Sequence, residues 1–135
     1  MSFLLATACN IEPRRAGLPP EAQAIIDRTT ADVAAGRFDE IHADAADEWR
    51  AAATPEQSRQ ALERVRAALG TVESRTMVSG REQQSPADAG GARTLVVTYN
   101  TRFERANGME TFTIVERDGR WKLARYFVNS DALKR

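Results

Sequence analysis

Two periodicities divide the chain at Gly70: before it apolar residues recur at helical spacing, and after it they alternate. From Glu21 to about Ala35, the positions Ala22, Ile25, Ile26, Thr29 and Val33 fall on one face. Pro20 suits a first helical turn, Glu21 complements the positive helix end, and Gly36 ends the segment. The stretch RFDEIHADAADEWRAAA (37–53) repeats the pattern with Phe38, Ile41, Ala45 and Trp49 in one stripe and acids opposite. It predicts a second helix. Thr54, Pro55 and Gln57 supply an N-cap, a proline at the first helical position and the far partner of a capping box. Ala61, Leu62, Val65, Ala68 and Leu69 then form the apolar face of a third helix, which Gly70 closes with a positive φ.

Beyond Gly70, TVESRTMVSGR (71–81) reads as a first strand and QQSPADAGGA (83–92) as a loop. Three further strands follow, joined at Asn107-Gly108 and Asp118-Gly119, both strong signals for two-residue turns. Turns at both sites set Phe103 opposite Phe112 and Thr101 opposite Ile114. They also set Tyr99 opposite Glu116, Ile114 opposite Leu123 and Glu116 opposite Trp121. Leu95, Val97, Tyr99, Phe103, Phe112, Ile114, Trp121 and Leu123 then share a core face, while Thr98, Asn100, Arg102, Thr113 and Lys122 share a wet one. Strict alternation carries Arg125 onto the core face and Tyr126 and Val128 off it. A bulge near Ala124-Arg125 is the expected remedy, because an unpaired buried guanidinium is very unfavourable; the alternative is an inward Arg125.

Helices followed by LVVTYNTRFERANGMETFTIVERDGRWKLARYFV, together with the step RAALGTVESR, resemble small bacterial secreted proteins of the nuclear-transport-factor-two-like superfamily. The likeness covers about residues 21–130. It implies an α+β fold in which three N-terminal helices pack on a curved four-stranded antiparallel sheet, shaped as a cone. It also implies a pocket between helices and sheet. The superfamily holds isomerases, cyclases and dehydratases as well as members that only bind or assemble, so fold alone does not choose a function. Its outer sheet face often forms dimers. Here that face is polar, which suits a monomer or a weak homodimer.

At 135 residues the chain is sized for one domain, expected over 21–135. Lys and Arg total 19 and Asp and Glu total 19, so nothing in the charge suggests a nucleic-acid partner. No apolar run approaches the roughly 20 residues of a membrane-spanning helix. Residues 1–20 read as a leader and tether, with Pro13, Pro19 and Pro20 breaking any regular element. Within them, Ala6-Thr7-Ala8-Cys9 resembles a bacterial lipobox. The single Cys excludes an internal disulfide or a thiolate metal cage. A lipidated Cys9 would anchor the protein in the cell envelope, and a start upstream of Met1 would supply the rest of the signal. An accidental small-residue stretch, and a cytoplasmic protein, is the other reading.

Candidate chemistry is sparse. Proton transfer of isomerase type needs a carboxylate base and a hydroxyl or neutral acid for the oxyanion. His42, Tyr99 and Glu116 are the residues that could form such a set. A ligand held between sheet and helices would touch Trp49, Tyr99, Trp121 and, if it pointed inward, Arg125; Trp49 and Trp121 also suit core anchors. One His and no carboxylate set at ligand spacing give no metal site, and no glycine-rich phosphate loop or other cofactor signature is present. The expectation is a non-catalytic cell-envelope module that binds a small apolar ligand or an envelope protein. The alternative is a cone-fold enzyme doing acid–base chemistry on a small apolar substrate.

Overall fold

The computed structural model describes residues 17–84 and 92–134. It is α+β: four helices and one open antiparallel sheet of four strands in sequential order. The helices are α1 (Pro20–Ala35), α2 (Phe38–Asp44), α3 (Asp47–Ala52) and α4 (Pro55–Leu69). The strands are β1 (Val72–Gln84), β2 (Arg93–Phe103), β3 (Asn107–Arg117) and β4 (Arg120–Asn129), with a short 3-10 turn at Asp131–Leu133. The lipobox-like Cys9 and most of the loop expected over 83–92 lie outside the described residues.

Helix punctuation is local and follows from sequence. Gly36 takes φ 75°, and its N–H reaches the carbonyls of Asp32 and Val33. Arg37 then closes back on Asp32 at 2.9 Å. At α4 the Thr54 hydroxyl accepts from the Gln57 N–H while the Gln57 side chain accepts from the Thr54 N–H, a complete capping box.

The continuous second helix is a correction. Ala45 and Ala46 are extended, with ψ of 163° and 162°, and split it into α2 and α3. The Ala46 N–H leaves the helical pattern to donate to the Leu123 carbonyl at 2.9 Å. That carbonyl belongs to the residue before the bulge in β4: Thr113 faces Arg125 while Ile114 faces Leu123, which leaves Ala124 unpaired. The bulge therefore resets the phase of β4. Arg125 is exposed, Tyr126 turns inward and Val128 is buried.

The β2–β3 hairpin is a second correction. The chain turns at Glu104–Ala106, with the Phe103 N–H bonded to the Ala106 carbonyl at 2.9 Å, and Asn107-Gly108 already belong to β3. Tyr99 therefore faces Glu110, Val97 faces Phe112 and Leu95 faces Ile114. The shift is an even number of residues, so every side chain keeps its face. The expected core set is buried throughout. The β3–β4 turn is as expected: Asp118 and Gly119 take φ of 53° and 75°, and Glu116 faces Trp121.

Helix α1 lies on β3 and β4, and α2 packs against α4. The main core joins Ala22, Ile26, Ile41 and Leu62 to Val97, Phe112, Ile114 and Leu123. A smaller cluster forms around Leu69, Phe103 and Val128, and Tyr126 packs against both.

Candidate functional site

Glu110 is the least expected residue in the interior. It alternates with Phe112 and Ile114 on the inner face of β3 and is 1% exposed. A buried carboxylate is very costly unless it is paired and hydrogen-bonded, and here four bonds converge on it. Arg75 of β1 donates to Oε1 from Nε at 3.0 Å and from Nη2 at 2.8 Å. The Thr101 hydroxyl of β2 donates to the same oxygen. The Tyr126 hydroxyl of β4 donates to Oε2.

The network also reaches the helical layer. Arg75 Nη1 donates to the Thr30 hydroxyl of α1 at 3.0 Å, and that hydroxyl donates to the Ile26 carbonyl at 2.9 Å. The guanidinium sits over the rings of Tyr99 and Phe112, with its carbon 5.2 Å and 5.4 Å from their centroids. One carboxylate thereby ties all four strands, and through Arg75 the covering helix. Burial, followed by the neighbouring Glu110 charge and the bond to it, holds the Tyr126 phenol well above the ordinary tyrosine value of 10.0, so Tyr126 stays a donor. Burial likewise raises Tyr99, with Arg75 opposing it.

The space beside this network is small. Thr30, Val33, Val65, Arg75, Phe103 and Tyr126 are among the residues bounding a cavity of about 20 Å³, room for a single water molecule. Both Glu110 oxygens already accept bonds from the chain's own donors, three on Oε1 and one on Oε2. Among the described residues no buried side-chain nitrogen or oxygen lacks a partner.

The residues singled out from sequence do not converge on a site. His42 is buried, and its Nε2 lies 2.8 Å from the Ala53 carbonyl, so that nitrogen carries the proton and ties α2 to the end of α3. Tyr99 faces Glu110 in the ladder, and Glu116 lies six residues further along β3, about 20 Å at the usual strand rise. Glu116 instead accepts from Arg93 at 3.0 Å, and the Arg93 guanidinium lies over Trp121 at 5.3 Å. Trp49 packs against the core and donates to the Ser58 hydroxyl at 3.0 Å. Arg125 is exposed, opposite Thr113. Among the described residues no group of three or more His, Cys, Asp or Glu could hold a metal ion, and no helix is long and apolar enough to cross a membrane.

The network could have been anticipated in part. Glu110 shares its parity with Phe112 on any register built from the flanking turns, and the expected bulge in β4 turns Tyr126 inward opposite Phe112, diagonal to Glu110. Arg75 carried no such signal, because β1 contains two register breaks that obscure which of its side chains face inward.

Residues 26–126 match the family model described as protein of unknown function, DUF4019. The chain belongs to the DUF4019 family. The matched span runs from α1 into β4 and contains Thr30, Arg75, Thr101, Glu110 and Tyr126; Cys9 lies outside it. No curated protein matches this DUF4019 chain.

Proposed function

We propose that this DUF4019 protein is a non-catalytic binding module of the bacterial cell envelope, either anchored through a lipidated Cys9 or secreted. It would belong to the nuclear-transport-factor-two-like superfamily and use the cone as a scaffold. The observation that carries the non-catalytic part is the occupied interior. Where an enzyme of this shape would hold a small apolar substrate, between sheet and helices, the cavity beside Glu110 measures about 20 Å³ and one between α1, α2 and β4 about 10 Å³. His42 and Glu116 are each engaged elsewhere, with Ala53 and Arg93. The four-stranded sheet with its helices is compatible with the superfamily, and the small residues before Cys9 support the envelope assignment.

Titration of the isotope-labelled protein with indole and 2-naphthol tests the interior directly. No shift of the Tyr99, Phe112 or Trp121 resonances is expected up to millimolar probe. Saturable shifts at those three residues would restore the enzyme reading. Expression with the upstream region, followed by intact mass, tests the anchor: a product beginning at a diacylated Cys9 is expected, and an unmodified chain beginning at Met1 would return the protein to the cytoplasm.

A further inference from the structure

Positive charge gathers on one end of the outer sheet face. Strand register sets Arg81 of β1 and Arg125 of β4 at the two ends of one row, with Val96 and Thr113 between them. Lys122 follows Arg125 on the same face of β4, and Arg120 comes next, opposite Arg117 at the β3–β4 turn. Arg81, Arg120 and Arg125 are exposed and Lys122 is half-buried. Among the described residues, none of these four lies within ion-pair distance of a carboxylate. The acids nearby are mostly committed: Glu48 holds Arg117 and Asp47 holds Arg50, each at 2.5 Å. That leaves Asp118 in the turn against four cations, in a chain whose formal net charge is zero.

Three features choose the partner. The cations are spread and do not converge. Arg81 and Arg125 are three interstrand spacings apart, about 14 Å, and Lys122 and Arg120 continue along β4. No single small anion meets them all, whereas a surface carrying many anions does. Second, Phe127 is 53% exposed one row from Arg125 on the same face. An aromatic ring beside basic residues suits the boundary between lipid headgroups and acyl chains. Third, the chain enters the domain at this end. Ile25 and Leu123 border one cavity, and Val33 and Phe103 another, so α1 begins toward the Lys122 end of the sheet. Cys9 precedes Leu18, which packs on the core, by nine residues, a reach of at most about 30 Å. A lipid on Cys9 would keep this end of the domain close to a bilayer, where a second contact gains from high effective concentration.

We infer that the outer sheet face around Arg81, Arg120, Lys122 and Arg125 docks on an anionic phospholipid surface. This rests on the reading of the protein as a cell-envelope module and gives that module its partner.

The full chain with Cys9 unmodified would be floated with vesicles of phosphatidylcholine alone and of phosphatidylcholine mixed with phosphatidylglycerol. The mixed vesicles should retain at least tenfold more protein, and the difference should vanish at about 1 M salt, where the screening length is about 3 Å. R81A, R120A and R125A should each weaken partitioning about fivefold, and F127A severalfold, with melting temperature unchanged because all four side chains are exposed. R28A removes an exposed cation from the helical side and should leave partitioning as it is. Equal retention on both kinds of vesicle would overturn the inference, as would a loss with R28A equal to that with R125A. Capture of poly-glutamate without vesicle binding would also overturn it, marking the face as a site for an acidic protein. The assay needs no lipid on Cys9, so its failure leaves the anchor to be read by intact mass. An unmodified product beginning at Met1 would in turn leave the vesicle result standing.

Discussion

Glu110 and Met109 are neighbours on β3, one 1% exposed and the other 41%. The same alternation separates Thr101, whose hydroxyl is fixed on Glu110, from Asn100, which faces solvent. Inner-face polar groups are thus saturated by one another, and outer-face groups of similar chemistry are not. The contrast distinguishes polar residues that hold a fold from those able to meet a partner. A buried carboxylate draws attention as a catalytic candidate, yet here both of its oxygens are engaged by the chain's own donors. The less conspicuous outer-face groups have the unspent capacity.

The sharpest way to break this contrast is to remove the centre of the inner network. E110A leaves the Arg75 guanidinium without its carboxylate in a site where its side chain is 16% exposed. A loss of about 3–5 kcal/mol is expected in urea unfolding, since breaking a buried pair strands the other charge. A loss below about 1 kcal/mol would mean that Arg75 escapes to water. The double variant E110L/R75M removes both charges and should recover most of that loss, because apolar replacement of a buried pair is often neutral. If the double variant is as unstable as E110A, Thr30, Thr101 and Tyr126 contribute more than the ion pair does.

Tyr126 tests a single bond of the network. Y126F should cost about 1–3 kcal/mol, the range for leaving a buried acceptor short of a partner. The phenol is raised in the folded state, so its contribution is fully present below the ordinary tyrosine value of 10.0 and declines as pH rises above it. Alkaline unfolding should therefore be steeper in wild type than in Y126F.

Glu104 offers the opposite sign at the surface. Its carboxylate accepts from the Thr71 N–H at 2.7 Å and from the Thr71 hydroxyl at 2.6 Å, and these bonds lower its pKa from 4.5. Its contribution is present above 4.5 and is lost as pH falls through the lowered folded value. E104Q should flatten part of the acid limb of the stability profile. The smallest effect is expected on the outer face: N129A and F127A should leave stability within about 0.5 kcal/mol of wild type. A larger loss would show that the outer rows also hold the sheet together.

How much of this was legible in the sequence depended on how local the cause was. The capping box at Thr54, the helix end at Gly36 and the Asp118-Gly119 turn each involve a few consecutive residues, and each stands where the sequence places it. The Asn107-Gly108 turn failed for a reason far away in the chain. Glu104 and Arg105 donate their N–H groups to the Thr71 and Leu69 carbonyls, so the end of α4 fixes where the hairpin bends. Gly108 has no positive φ; a Cβ there would come within 3.3 Å of the Asn129 carbonyl, the Phe103 ring and Ser130, so it serves close packing. The core survived the misplaced turn because parity was preserved, but residue pairs did not. Tyr99 was matched with Glu116, and its true partner Glu110 went unnoticed. The split between α2 and α3 was equally invisible, because its partner is a carbonyl on β4 nearly eighty residues away.

That carbonyl has a further role in protecting the molecule from its own kind. An open sheet ends in two rows of unpaired backbone groups, each able to template a strand from a second chain. On β4 the Ala46 N–H occupies Leu123 beside the bulge, interrupting the row midway. On β1 the register breaks at Glu73 and Val78 do the same by twisting the strand. Each edge is thus divided into shorter runs, which leaves less continuous backbone for a second chain to pair with.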